Sequence, residues 1–234
     1  MEFQIGIKST YLGLCQGVVT VFFGNKSPAP LQAVTCTYGP PSDLLHLSPQ
    51  PLAPRIGPKQ QLSQLLELNC SGPFTAAPAL NLKYLLPDNT PRQVTATLPV
   101  VITKFMGGRD LPGGAAEFFR LWKDRNFQLS ETSAVVVLSP RLSSSVVSLV
   151  RACTCGGALT LHHGVGDEGS LVLVGQFPSD SPEGVKCATV PEALVLVRLE
   201  LAPDQPKARL QVRSDYPQVA SAVKEVLLTL LKGE

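Results

Sequence analysis

The feature that most constrains the fold is a series of short strand-like segments that runs as far as Ile102, with turn-forming residues between them. The run Val18–Phe23, for example, is rich in β-branched and aromatic residues and stops at Gly24 and Asn25. The predicted strands are Phe3–Lys8, Val18–Phe23, Ala33–Tyr38, Leu62–Cys70, Leu80–Leu85 and Gln93–Ile102. We expect the proline-rich stretch Pro40–Pro58 to be a loop or an edge excursion, because proline cannot donate to a sheet ladder. Short strands at this spacing predict an all-β sandwich.

The pattern changes after Pro112-Gly113-Gly114, where helical periodicity begins. Three helices and five strands are predicted from there: helices Ala115–Arg125, Arg141–Ala152 and Pro217–Leu231, and strands Ala134–Leu138, Ala158–Leu161, Leu171–Gln176, Leu194–Leu201 and Arg209–Arg213. Helices mixed with strands indicate an α+β domain, in which helices flank a mainly antiparallel sheet. We therefore predict two domains, an all-β sandwich over residues 1–104 and an α+β domain over residues 105–234.

Composition narrows the class of protein. Hydrophobic residues make up 44% of the 234 residues and the net charge is +2, so we expect a packed core and no nucleic-acid partner. No apolar stretch approaches the length of a membrane span, and the six cysteines are scattered rather than arranged as a disulfide framework. These features favour a soluble cytoplasmic protein without a cofactor.

Two strands near the end carry charges at alternating positions. In the second, Arg209, Gln211 and Arg213 share one face, and in the first Arg198 and Glu200 do the same. If the intervening residues form a hairpin connection, Glu200 falls opposite Arg209 and three guanidinium groups share one surface. The alternative is an ordinary solvated sheet face.

Large aromatic side chains are concentrated in one predicted helix. Because a helix buries a single stripe, we expect Phe118 in the core, and Phe119 and Trp122 towards the edge of that stripe. The alternative is that Trp122 belongs to the core. An aromatic slot beside arginines would suit a peptide in which an aspartate lies next to a phenylalanine or tryptophan.

Motifs for catalysis are weak. Cys153-Thr154-Cys155 followed by His162-His163 matches no common zinc spacing, and no Gly-x-Ser-x-Gly nucleophile motif occurs. We predict no metal site, no catalytic residue and no enzymatic activity, although a metal-dependent hydrolase stays as an alternative hypothesis.

Several segments together resemble the alpha-adaptin appendage, or ear, family of plasma-membrane clathrin adaptors. They are Gln4–Ser9, Phe22–Lys26, Asn69-Cys70 with Ala77-Pro78, Leu98–Phe105, Glu117–Lys123 and Leu196–Glu200, in the family's order. The resemblance implies an immunoglobulin-like β-sandwich followed by an α+β platform. It also implies a protein that recruits endocytic accessory proteins, found in the cytoplasm and peripherally on the plasma membrane at clathrin-coated pits.

The resemblance further implies two peptide-binding surfaces. The platform surface would take Asp-Pro-Phe, Asp-Pro-Trp and Phe-x-Asp-x-Phe motifs through Phe118, Phe119, Trp122, Glu131, Arg198, Glu200, Arg209 and Arg213. The sandwich surface would take Trp-x-x-Phe motifs through Gly6, Lys8, Phe22 and Gln61. The partners implied are disordered accessory proteins with these motifs, the clathrin coat and, through a trunk, the other subunits of the heterotetrameric complex.

Two alternatives remain open. A beta-adaptin-type appendage has the same two-part architecture and recruits clathrin and accessory proteins, although the residues around Trp122 and Arg198 favour the alpha type. The other alternative, beside a binding module and an enzyme, is a structural spacer that only packs against other subunits.

Overall fold

The computed structural model describes residues 3–13, 15–39, 43–163, 169–179 and 192–233. Contacts divide the chain into two units, Met1–Gly72 with Ala76–Val100, and Pro73–Thr75 with Val101–Glu234. The sequence-based border after Lys104 stays a prediction, and the contacts group Val101–Lys104 with the second unit. Within the described residues, no helix combines the length and the hydropathy that a membrane crossing needs.

The first unit is an all-β sandwich, as predicted. Its described strands are β1 (Phe3–Gly13), β2 (Gln16–Asn25), β3 (Gln32–Gly39), β4 (Leu45–Pro49), β5 (Gln61–Cys70), β6 (Ala79–Leu85) and β7 (Pro91–Thr97). They form a four-stranded sheet in the order β1-β2-β5-β4 and a three-stranded sheet in the order β3-β6-β7, with antiparallel neighbours throughout. The sheets meet where Phe3 stacks on Tyr84 at 5.5 Å between ring centroids, beside the buried Phe23.

One prediction for this unit was partly right and another was wrong. Within Pro40–Pro58, which we expected to be a loop or an edge excursion, strand β4 pairs with β5 from Leu45 to Pro49. It is an edge strand, where proline at the end of the pairing costs no ladder bond to a further strand. The predicted strand Gln93–Ile102 is shorter, since β7 ends at Thr97 and Ile102–Phe105 forms a 3-10 helix of the second unit.

The second unit is α+β, as predicted. Its described elements are β8 (Gly107–Gly108), α1 (Gly114–Trp122), α2 (Arg125–Gln128), β9 (Thr132–Val137), α3 (Pro140–Ser143), α4 (Val146–Cys153), β10 (Thr160–His163), β11 (Ser170–Phe177), β12 (Ala193–Leu201), β13 (Lys207–Ser214) and α5 (Pro217–Lys232). The sheet has the antiparallel order β10-β11-β12-β13-β9, and β8 pairs with β11. Helix α5 packs against β9, β12 and β13, whereas α1 packs on the other face through Phe118 against Val172 and Val174.

The single helix predicted over Arg141–Ala152 is two helices. The chain leaves α3 after Ser143, and Ser145 begins α4 by accepting a hydrogen bond from the backbone N–H of Ser148 at 3.2 Å. Serine side chains compete with the helix for backbone hydrogen bonds and favour caps. The run Ser143–Ser145 therefore ends one helix and begins another.

Candidate functional site

The strands β12 and β13 pair in the predicted register. Glu200 lies opposite Arg209, Arg198 opposite Gln211, and Leu196 opposite Arg213. Directly opposed residues share a face, so Arg198, Arg209 and Arg213 project from one side of the sheet. We call this side of β12 and β13 the arginine face; Leu196 on the same side packs in the cluster that contains helix α1.

The aromatic residues of α1 stack beside this face. The rings of Phe118 and Trp122 lie 5.3 Å apart at 19°, and the Cζ of Arg213 lies 4.0 Å from the centroid of the Trp122 ring. Arg213 also donates from Nη1 to the backbone oxygen of Trp122. This geometry is a cation–π contact in which the guanidinium covers the indole.

Of the two placements considered for Trp122, the edge of the stripe and the core, the core is correct. The exposed fraction of Trp122 is 8%, and that of Phe118 is 0%, so both rings belong to the core of this unit. The cover comes from Arg213, which the helical pattern alone does not include. A ligand would reach the Trp122 ring only at its margin, and Phe118 would support the site from below.

Glu131 holds Arg213 in place. Its Oε2 accepts from Nε of Arg213 at 2.7 Å and from Nη2, and its Oε1 accepts from Nε2 of Gln211 at 3.1 Å. Burial raises the pKa of Glu131, but the hydrogen bonds from Arg213 and Gln211 outweigh burial and bring the pKa below its ordinary value. The sequence analysis did not include Gln211 in the site, although the alternation places it between Arg209 and Arg213.

Phe119 and Arg198 form the more open part of the site. Phe119 is half-buried, meets Phe118 edge-on at 5.5 Å, and has the Cζ of Arg198 6.0 Å from its ring centroid. Arg198 donates from Nη2 to Oε1 of Glu200 at 2.9 Å, while its buried Nε has no hydrogen-bond partner in the described part of the chain. A buried donor without a partner is costly, and an additional acceptor would satisfy it.

Arg209 differs from the other two arginines of this face because neither Glu131 nor Glu200 forms an ion pair with it. Glu131 pairs with Arg213 and Glu200 pairs with Arg198, whereas Arg209 is exposed and has no ion pair among the residues that the structure describes. Arg209 helps to lower the pKa of Glu131 through its charge, but its guanidinium group is exposed and lies on the same face as partly exposed aromatic surface. Chemically, the arginine face can pair with a carboxylate and pack an aromatic ring.

The four residues predicted for the sandwich surface also lie together. Gly6 is directly opposite Phe22, Lys8 is opposite Thr20, and Gln61 is opposite Gly24. Residues at these register positions share the outer face of the four-stranded sheet. Phe22 is half-buried there, and a Cβ at Gly6 would lie 3.6 Å from the Cβ and 3.9 Å from the Cδ2 of Phe22.

The alternative hypothesis of a metal-dependent hydrolase rests on Cys153, Cys155 and the histidine pair at residues 162 and 163. Among the described residues, no group of three or more His, Cys, Asp and Glu side chains is arranged to hold a metal ion. Burial raises the pKa of both thiols, Cys153 and Cys155, to about 12. His162 is bonded through Nε2 to the backbone oxygen of Arg109 at 2.8 Å.

Comparisons with known proteins find similarity to adaptins. Residues 1–99 match the adaptin C-terminal domain family. Over 230 residues, 98% of this chain, the sequence is 29% identical to the AP-2 complex subunit alpha-2 of Dictyostelium discoideum. The chain is similar to the alpha-adaptin appendage. The resemblance found in the sequence is confirmed, and the second match extends the likeness through the α+β unit.

The chain spans only 22% of the length of that Dictyostelium subunit, so the match concerns one portion of the relative. Adaptin appendages belong to adaptors rather than to a family of enzymes.

Two yeast structures resemble part of the appendage. The GAE domain of GGA2p from Saccharomyces cerevisiae has a TM-score of 0.37 and 18% identity, and covers 43% of this chain and 91% of its own. The yeast GGA1 GAE domain has a TM-score of 0.35 and 17% identity, and covers 42% of this chain and 92% of its own. At these TM-scores the two structures carry no inference about the site.

Proposed function

We propose that this appendage recruits endocytic accessory proteins by binding short acidic-aromatic peptides on the arginine face. The observation that carries the proposal is the unpaired, exposed Arg209 on the same face as Arg198 and its half-buried neighbour Phe119. A peptide aspartate pairs with a guanidinium group, and an adjacent phenylalanine or tryptophan packs against Phe119 and the margin of Trp122. Asp-Pro-Phe, Asp-Pro-Trp and Phe-x-Asp-x-Phe motifs have this chemistry.

Each residue then has a distinct role. Arg209 and Arg198 contact the carboxylate, and Phe119 contacts the aromatic side chain. Glu131 and Gln211 hold Arg213 over Trp122, while Glu200 orients Arg198. Phe118 supports the Trp122 ring from within the core.

We also propose that the outer face around Gly6, Lys8, Phe22 and Gln61 binds Trp-x-x-Phe motifs. The support is the half-buried Phe22 ring, which lies opposite a residue without a side chain, Gly6, on the face that carries the exposed Lys8. With two weak sites, an accessory protein that carries several motifs on one disordered chain binds by avidity. In the cell, the appendage acts at clathrin-coated pits on the cytoplasmic side of the plasma membrane. It belongs there to an adaptor complex that also contacts the clathrin coat.

The direct test is titration calorimetry with an Asp-Pro-Phe peptide on the wild type, Arg209→Ala and the control Arg141→Ala. Arg141 is an exposed arginine on α3, so its removal changes the net charge equally without touching the arginine face. We expect weak binding that falls as salt rises, because exposed ion pairs are screened over a Debye length of about 8 Å at physiological salt. Arg209→Ala should weaken binding about fivefold or more, and Arg141→Ala should not. Equal affinities of all three proteins would refute the proposal.

A further inference from the structure

Strand β9 forms one edge of the sheet in the second unit, and in the described structure it pairs only with β13. Its sequence from Thr132 to Val137 is Thr-Ser-Ala-Val-Val-Val, without a charged residue or a proline, and its register with β13 contains no bulge. Proteins usually protect such an edge with charges, proline or bulges, because an open edge accepts further strands. Strand β9 carries none of these protections, so it is open to a partner strand.

The backbone of β9 has hydrogen-bonding groups at this open edge. Leu138, directly after the strand, donates its N–H to the backbone oxygen of Pro206 at 2.8 Å. In an antiparallel ladder the direction of these groups alternates, so those of Val137, Val135 and Ser133 point away from β13. No backbone hydrogen bond joins them to another described residue. A segment laid along β9 would satisfy them, as in strand addition.

The side chains next to this edge combine apolar and basic character. Val135 is 73% exposed and Val137 is 59% exposed. The register places Val135 beside Arg209 and Val137 beside Lys207, both exposed and without an ion pair in the described chain. These four side chains lie on one face, and a strand that alternates acidic and aliphatic residues can direct all its acidic side chains to that face and its aliphatic side chains to the other. The acidic side chains would then be attracted by Arg209 and Lys207 across the row of valines.

This edge continues from the arginine face. Arg213, over Trp122, lies four residue steps along β13 from Arg209, which at about 3.3 Å per residue is about 13 Å. Strand β9 begins opposite Val212 and runs away from the Trp122 end. An extended peptide docked at Phe119 and Arg198 could therefore continue along β9 on one side of its motif.

We propose that β9 binds the segment that flanks the acidic-aromatic motif, as an added strand with alternating acidic and aliphatic residues. The inference rests on the proposed function and specifies the ligand further. A segment that carries both the motif and such a flank would bind more tightly than the motif alone. This difference in affinity would distinguish flanked motifs from the many similar short motifs without a flank.

The test compares three synthetic peptides by calorimetry: an Asp-Pro-Phe core, and the same core with a Val-Asp-Val-Glu-Val flank, separated by about four residues, on either its N-terminal or its C-terminal side. We expect one flanked peptide to bind about three- to tenfold more tightly than the core. Its binding should slow hydrogen exchange at the amides of Val135 and Val137. The variant Lys207→Ala removes a basic group that the flank alone would reach, and it should reduce the gain without altering affinity for the core peptide.

Other outcomes overturn the inference in distinguishable ways. If the core peptide binds, yet neither flank adds affinity or amide protection, the strand-addition proposal is wrong and the proposed function stands. If the core peptide itself does not bind, both proposals fall. If sedimentation shows the free appendage to be a dimer that Val135→Lys converts to a monomer, the occupant of β9 is a second copy of this chain.

Discussion

The guanidinium group of Arg213 lies over the indole ring of Trp122, with 4.0 Å between the Cζ atom and the ring centroid. These residues are far apart in sequence, one at the end of α1 and the other in β13. Their contact ties α1 to the sheet and gives the site a rigid base, because Glu131 holds Arg213 from the other side. The site thus contains a structural half around Trp122 and an open half around Phe119 and Arg209.

Truncating Trp122 should therefore destabilise the appendage rather than only weaken a ligand. Trp122→Ala removes a ring with 8% exposure that stacks on Phe118, so we expect a loss of about 3–5 kcal/mol in the free energy of unfolding. Denaturant unfolding monitored by circular dichroism measures the loss. Phe119→Ala, at a half-buried position, should cost less. A change below about 0.5 kcal/mol for Trp122→Ala would show that the ring is not part of the core.

Alanine substitutions of Arg213 and Arg209 should have different effects on stability, because Arg213 belongs to the structural half of the site and Arg209 to the open half. Arg213→Ala leaves Glu131 without its main partner and uncovers Trp122, which should cost about 1–3 kcal/mol of stability. Arg209→Ala removes an exposed group without an ion pair in the described residues, so stability should stay within about 0.5 kcal/mol of wild type. Thermal melts of the two variants decide the matter. The division fails if Arg209→Ala is the more destabilised protein.

The Glu131–Arg213 pair predicts a pH dependence. The folded pKa of Glu131 lies below its ordinary value, so the unfolded chain binds its proton first as the pH falls. The pair's stabilisation is complete above the unfolded pKa of about 4.3 and is lost as the pH drops through the folded pKa. Wild type should thus exceed Glu131→Gln in stability at neutral pH, and the difference should shrink below about pH 4. A difference that is constant from pH 7 to pH 3 would contradict this assignment.

On the sandwich, Gly6→Val should block the second surface. A Cβ at residue 6 would sit 3.6 Å from the Cβ of Phe22, which is ordinary contact, so the chain should tolerate the added side chain while the Phe22 ring becomes covered. Binding of a Trp-x-x-Phe peptide should weaken about tenfold, with no change for an Asp-Pro-Phe peptide. Thr10→Val, on the same strand and face, is the matched control. Equal loss of both peptides would argue against two independent sites.

Cys153 and Cys155 should be inert in the folded protein. Burial raises the pKa of each thiol to about 12, so almost no thiolate exists at neutral pH. A thiol reagent at pH 7 should label both residues only after denaturation, as peptide mass spectrometry can show. Rapid native labelling of Cys155, or its protection by added zinc, would revive the metal hypothesis.

Much of this architecture could be predicted from local patterns. The strict alternation in β13 was enough to place Glu200 opposite Arg209, because a short connection allows few registers. The all-β to α+β transition followed from the change in periodicity. The family resemblance, which the comparisons confirm, supplied the candidate residues that no pattern alone identifies.

The failures arose where distant contacts override local signals. Trp122 lies at the edge of the helical stripe, and its burial depends on Arg213, 91 residues later. Strand β4 lies within a proline-rich stretch, and its pairing with β5 could not be read from its own composition. The open edge at β9 was also invisible, since neighbouring strands determine which strand lies outermost.

The central claim is that the arginine face of the second unit binds acidic-aromatic peptides, and amide and side-chain NMR during an Asp-Pro-Phe titration tests it most directly. We predict shifts that concentrate at Phe119, Arg198 and Arg209 and saturate with a single weak affinity. An Ala-Pro-Phe peptide, which lacks the carboxylate, should shift them much less. Shifts confined to other surfaces, or equal effects of the two peptides, would contradict the claim.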